Sequence, residues 1–431
     1  MSNGCYDITA YGAVKDGETL CTAAVQRAID ECAANGGGKV VVPAGRYRVG
    51  TLYLRDNVEL HLQTGAVLCA SEDLDDYNPD DAYPQNHGFP AEEWNAKHLI
   101  IAYAVRNVAI TGSGTIDGSA AAFFAPPEFY RYYIWIEGLA LSKDKERLRP
   151  GQMVVFVECN EVRFEGVTLQ NATCWACFFH GCDNVAVRGL KVFNPRTHAN
   201  TDGIDIDCCS HVTIRDCEID TGDDAIAIRA DGKRLTDPHK PCEDITVTNC
   251  VLASASSVFR IGVGTGDIRR VDISRITVKS GATCLNLMSD WPGCDTGIED
   301  IRVRDITAEK IAHPIEIGGG REKGVRNVII ENFTVHAAAN CRVRAAENRN
   351  VRGIALRNIE IFEANDLYDE LTEAMLPKRG RAMFVLQNAE DVTLDGVTIR
   401  ADEATAATWD APMEIVNCEG LVLKDVTLPQ K

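Results

Sequence analysis

From residue 107 to its end the chain repeats one theme: two short runs with apolar residues at alternate positions, joined by a polar or glycine corner. The units read NVAITGSGTIDG at 107–118, EVRFEGVTLQNA at 161–172, NVAVRGLKVFN at 184–194, HVTIRDCEIDTG at 211–222 and DITVTNCVLAS at 244–254. They continue as RVDISRITVKSG at 270–281, DIRVRDITAEK at 300–310, NVIIENFTVHA at 327–337, GIALRNIEIFE at 353–363, DVTLDGVTIRA at 391–401 and GLVLKDVTLP at 420–429. Alternation at period two marks strands with one buried face. A spacing of mostly about 23 to 30 residues is the period of a solenoid, and the corners are too irregular and too far apart for hairpins. Stacking the units in register buries the alternate Val, Ile and Leu in one column. The expected fold is all-β: a single-stranded right-handed parallel β-helix forming one domain over 1–431, with residues one coil apart lying about 4.8 Å apart.

An open solenoid end exposes apolar side chains and a strand edge, so a cap is expected. Residues 1–60 fit a cap and first coils. Within them, 19–39 has helical apolar spacing at Ala24, Val25, Ala28 and Ile29 and ends in a glycine run that stops a helix. The stretch 119–150 breaks the repeat with dense aromatics (FYRYYIWIEG) and reads as an insertion near a groove, with a partner surface as the other reading.

With 44 Lys plus Arg against 63 Asp plus Glu, the net charge of −19 argues against a nucleic-acid partner. No apolar run is long enough to span a membrane, and the first residues lack the pattern of a signal peptide. The 17 cysteines are scattered singly through strand-like runs. They read as buried free thiols in a reducing compartment, and the cytoplasm is the expected location. The one Cys-x-x-Cys, Cys174 to Cys177, has no second pair to complete a zinc site, so no metal and no cofactor is expected. A homo-oligomer is left open.

The chemistry concentrates in HANTDGIDIDCCSHVTIRDCEIDTGDDAIAIRAD, residues 198–231. Ile204 and Ile206 should point inward, with Asp205 and Asp207 outward. Asp202 and Asp223 are about one coil apart and should stack, with Asp224 beside them, just after Gly222. Like charges held close raise one another's pKa values, a cost with a purpose where one protonated and one ionised carboxyl group are both needed. Glycoside hydrolysis is such a case: one group protonates the leaving oxygen and the other activates water. Asp and Asn are also common corner residues, and that reading suits Asp216, Asp220 and Asp231.

NTDGIDID followed by TGDDAIAI resembles the two central motifs of glycoside hydrolase family 28, the polygalacturonase-like enzymes. The opening YDITAYGAVKDGE through VVVPAGRYRVGTLYL resembles that family's cap and first coils, and ITGSGTIDG its early coil. The resemblance implies inversion of configuration, with Asp223 as general acid and Asp202 and Asp224 holding and activating water. It also exposes departures. Where the family carries Gly-His-Gly, this chain reads ASSVFRIGVGTG at 255–266, with Ser257 near the histidine's place. Where the family's Arg-Ile-Lys binds the substrate carboxylate, the run is ATCLNLMSDW at 282–291, without either cation.

Arg260, at an outward position between Phe259 and Ile261, and Arg229, just after the Asp-Asp strand, are the candidate substitutes for those cations. Each could hold a substrate carboxylate or pair with one of the many aspartates. Asn200, Asp205 and His198 complete the candidate substrate-binding set, although a lone histidine is more often structural. Trp175, Trp291 and Asp290 lie where an aromatic face could meet a sugar ring, although packing is the commoner role. The leading expectation is an inverting glycosidase on a pectin-derived or related oligosaccharide other than plain polygalacturonan, acting on chain ends if 119–150 closes the groove. The alternatives are a lyase or epimerase using Ca²⁺ on the three aspartates with an arginine as base, and a non-catalytic carbohydrate-binding β-helix.

Overall fold

The computed structural model describes residues 4–78, 97–124, 149–364 and 381–430. Most of the 119–150 stretch, and with it the groove-wall expectation, lies outside the described residues. The chain divides into two compact units, Met1–Gly222 with Lys233–Pro238, and Asp223–Gly232 with His239–Lys431. Each is built of parallel strands stacked coil on coil, and the fold is the right-handed parallel β-helix.

In the first unit the strand Cys5–Asp7 pairs in parallel with Gly38–Val42, which pairs in turn with Val58–Leu62. The expected helix is present over Thr22–Ala34, burying Ala24, Val25, Ala28, Ile29 and Cys32. It starts later than the apolar spacing indicated because Asp16–Leu20 is a strand paired with Gly45–Val49. Beyond the cap, each coil carries three strands. Val154–Val157, Cys177–His180 and Ile204–Asp207 form one column, Asn160–Glu165, Asp183–Arg188 and Ser210–Arg215 a second, and Thr168–Gln170, Lys191–Phe193 and Glu218–Thr221 a third. The second and third columns are the two alternating runs of the repeat. The first escaped that pattern because all four residues of each of its strands are buried. A strand covered on both faces has no polar side to alternate with. Phe156 and Phe179 stack there at 5.1 Å between ring centroids.

In the second unit, Ile245, Val271, Ile301, Val328, Ile354 and Val392 stand in register on six successive coils, each almost wholly buried. The strand Ile226–Ala230 pairs with Ser257–Gly264, which pairs with Asp267–Met288. Asn and Asp hold the corners in the left-handed region, as at Asp305, Asn332 and Asn358, with φ of 58°, 56° and 51°. Their amides form a ladder: Asn358 Nδ2 donates to Asn332 Oδ1 and Asn332 Nδ2 to Asp305 Oδ1, both at 2.9 Å. Each corner thus satisfies a backbone preference and a side-chain hydrogen bond with one residue type. All 17 cysteines are free thiols. No helix among the described residues is long and apolar enough to cross a membrane.

Replacing Asn332 separates the two corner contributions. Asn332→Ala loses both the ladder and the left-handed tolerance and should lower stability by about 1–2 kcal/mol. Asn332→Gly loses only the ladder and should cost less, measured by chemical denaturation. Equal losses would show that the backbone conformation carries no weight there.

Candidate active site

The site residues of the first unit lie on the loop 194–202 and the strand after it. Asn194 ties that loop down, accepting from Ala172 N at 2.9 Å and donating to Thr201 O at 3.1 Å. Thr201 Oγ1 donates to His198 O at 2.7 Å. Gly222 packs against the same loop: a Cβ there would stand 2.1 Å from His198 O and 2.5 Å from Thr201 Oγ1. The glycine is therefore needed for close approach.

Arg149, at the return of the 119–150 stretch, donates through Nη1 to Thr173 O at 2.6 Å and Ala199 O at 3.1 Å, and through Nη2 to Asn200 Oδ1 at 3.3 Å. Its guanidinium lies 4.9 Å from the centre of the Phe124 ring. Phe124 stacks in parallel on His198, 4.0 Å between centroids. Burial, and then the charge of Arg149, push the His198 imidazole down to about 4. His198 is thus neutral at ordinary pH and serves as a stacking surface rather than a proton carrier.

Asp202 is buried at 5% exposure, two residues from Asn200. Asp205 and Asp207 are opposite the core-facing Ile204 and Ile206, and yet both are buried, Asp205 completely. They belong to the column whose strands are covered on both faces, which alternation alone does not reveal. Trp175 is buried edge-to-face against Phe178 at 5.1 Å, a packing role. Two of the carboxylates read as corner residues are salt-bridged: Arg196 Nε to Asp220 at 3.0 Å and Arg188 Nε to Asp216 at 3.4 Å. Asp216 also has the left-handed backbone of a corner, with φ of 59°.

In the second unit Asp223 and Asp224 open the strand Ile226–Ala230. Their carboxylates lie within 4.8 Å of each other, and their environments differ sharply. Asp224 accepts from two donors of the next coil: Ser257 N at 2.9 Å to Oδ1 and Arg260 Nε at 3.1 Å to Oδ2. Asp223 receives Asp224 N at 3.0 Å, and its own carbonyl accepts from Ser254 Oγ at 2.7 Å. Burial first, then the neighbouring Asp224 charge, push the Asp223 carboxyl up to about 7, against the smaller opposing pull of Arg260. Asp223 thus keeps its proton close to neutral pH, as a general acid must. With Arg260 already neutralising Asp224, a divalent cation would have to displace or tolerate a guanidinium at the same oxygens, which does not favour a metal role for this pair.

Arg260 follows the expected alternation, in register between Ala227 and Asn286 while Phe259 and Ile261 are in the core. Its guanidinium also lies over the Trp291 ring, 4.3 Å from the centroid. Trp291 therefore offers one face to an arginine rather than to a sugar. Arg229 is buried at 5% exposure, and Asp290 is exposed. Asn286, which donates through Nδ2 to Ser257 Oγ at 3.2 Å, joins the site without having been singled out from sequence. Its position in the run lacking cations was the only signal.

Comparison with known proteins gives the family. The sequence profile of the glycosyl hydrolases family 28 matches residues 32–319. An exopolygalacturonase of Zea mays is 30% identical over 350 residues, 77% of this chain and 76% of its own. A probable polygalacturonase of Vitis vinifera is 25% identical over 393 residues, 80% and 77% of the two chains. The crystal structure of an exopolygalacturonase from Thermotoga maritima superposes with a TM-score of 0.66 at 24% identity, covering 85% of this chain and 88% of that one. The chain is a glycosidase and belongs to glycosyl hydrolases family 28, the polygalacturonase-like enzymes.

Proposed function

We propose that the enzyme hydrolyses a pectin-derived or related oligosaccharide with inversion, Asp223 giving a proton to the leaving oxygen and Asp224 with Asp202 activating water. The observation that carries this reading is the asymmetry within one pair: the Asp223 carboxyl is pushed up to about 7, and Asp224 is bonded to Arg260 and Ser257. Asp202 enters by chain position. It precedes Asp223 by 21 residues, close to one coil. Its neighbour Thr201 also meets Gly222, the residue before Asp223. Asn200, His198, Asp205, Arg229 and Arg260 are proposed to shape the substrate side; for the buried Asp205 and Arg229 that means supporting neighbours rather than touching sugar.

Chain-end action is proposed on the likeness to exopolygalacturonases and on the anchoring of Phe124 and Arg149, which bracket the aromatic stretch, against the His198–Asn200 loop. Plain polygalacturonan is the less favoured substrate, because Asn286 and Met288 stand in the run where carboxylate-reading cations are missing. A lyase mechanism finds little support: an arginine does not give up its proton in proteins, least of all one paired to a carboxylate. One continuous domain is proposed because the repeat runs through the division between the units, and a reducing, cytoplasmic setting because every cysteine is a free thiol.

Incubation with a panel of pectic oligosaccharides should release new reducing ends without the ultraviolet absorbance of unsaturated uronides. Asp223→Asn should lower kcat by at least about a hundredfold. Absorbance that rises with Ca²⁺ would move the enzyme to the lyases; an active Asp223→Asn would remove the proposed acid.

The same substitution has a stability signature. A carboxyl group whose pKa is raised on folding stabilises the folded state below the unfolded value near 4, and that contribution is lost as pH rises towards 7. Asp223→Asn should therefore be more stable than the parent at pH 8, by about 2 kcal/mol allowing for solvent screening, and the gain should shrink towards pH 4. A pH-independent difference in melting temperature would contradict the raised carboxyl.

A further inference from the structure

Beside the charged pair, two polar atoms remain unmatched. Arg260 uses Nε on Asp224 and its face on Trp291, yet its Nη1 is buried without a hydrogen-bond partner. On the next coil, in register with Arg260, Asn286 uses Nδ2 on Ser257 Oγ while its Oδ1 is likewise buried and unmatched. Both residues are more than nine-tenths buried. An unmatched buried donor or acceptor is costly, so a ligand group that satisfies both recovers that free energy. The two atoms have opposite hydrogen-bonding sense, and the residues that carry them stand on adjacent coils in register, one step of about 4.8 Å along the stack.

We infer that Arg260 and Asn286 form a sugar-reading subsite for a ring hydroxyl, so that the residue bound beside Asp224 is a neutral sugar and not a uronate. A hydroxyl accepts from Arg260 Nη1 and donates to Asn286 Oδ1, closing both vacancies with one group. A carboxylate would satisfy only the arginine; it would face the Asn286 carbonyl oxygen and the adjacent Asp224 charge. The next rungs offer a uronate no free cation. Glu316, in register with Asn286, is engaged by Arg342 at 2.9 Å and by Arg344 at 3.5 Å. Trp291 is a positioning residue here, keeping the guanidinium flat so that Nε and Nη1 serve the carboxylate and the sugar together. This inference rests on the reading of Asp223 and Asp224 as the reacting pair, and it names the substrate class at their side.

The test compares a galacturonate oligosaccharide with its carboxyl-reduced counterpart, which differs only in replacing each carboxylate by a neutral hydroxymethyl group. The parent should favour the reduced oligomer by about tenfold or more in kcat/KM. Asn286→Lys should shift that ratio towards the uronate by about tenfold, and Asn286→Ala should weaken both substrates mainly through KM. Isothermal titration of both oligomers to the Asp223→Asn protein reads the same preference without turnover. A failure of catalysis is thereby distinguished from a failure of the subsite. Tighter binding of the uronate by the parent, no binding of either oligomer, or a preference unmoved by Asn286→Lys would each overturn the inference.

Discussion

Everything in this molecule depends on parallel backbone pairing held in register from coil to coil. Once Val162 lies over Val108 and under Val185, the side chains between them have no freedom to choose neighbours. Each position of a coil becomes a rung in a column running along the stack, with Cβ atoms about 4.8 Å apart. Columns of Val, Ile and Phe make the core, columns of Asn and Asp make the corners, and one column brings Ala227, Arg260, Asn286 and Glu316 into line. The chemistry uses this geometry as it finds it. Arg260 reaches Asp224 from 36 residues away with a hydrogen bond of 3.1 Å because both belong to adjacent turns of one stack.

The second governing fact is electrostatic asymmetry at short range. Two adjacent aspartates with the same intrinsic acidity are driven apart by what each is given: two charge-stabilising donors for Asp224, burial beside a like charge for Asp223. The proton follows the poorer solvation. His198 shows the converse, where burial and the positive Arg149 suppress charge and leave a ring that serves as packing. Titratable groups thus take different duties without any change in their covalent chemistry.

Much of the fold was legible because exposed coil faces write period-two alternation into the sequence, and corners write Asn, Asp and Gly. The strands Val154–Val157, Cys177–His180 and Ile204–Asp207 were not legible in the same way, since covering both faces erases the polar half of the pattern. The burial of Asp205 went unread for that reason. Asp223 and Asp224 were legible because crowding like charges needs a reason, and the outward position of Arg260 followed from alternation between Phe259 and Ile261. Its carboxylate partner did not, because pairing across coils depends on the length of the intervening loops. The stack of Phe124 on His198 joins segments 74 residues apart, with no local pattern to announce it.

The guanidinium shared between Asp224 and the proposed sugar position links two properties that most enzymes tune separately. Any drift in sequence that moves Arg260 towards a new sugar also loosens its grip on Asp224, and with it the opposing pull of its charge on the Asp223 carboxyl. Divergence of specificity through this residue would therefore shift the working pH as well. Substitutions on the neighbouring rung, at Asn286, are insulated from that penalty, so a lineage acquiring new substrates has an easier path through the amide than through the arginine.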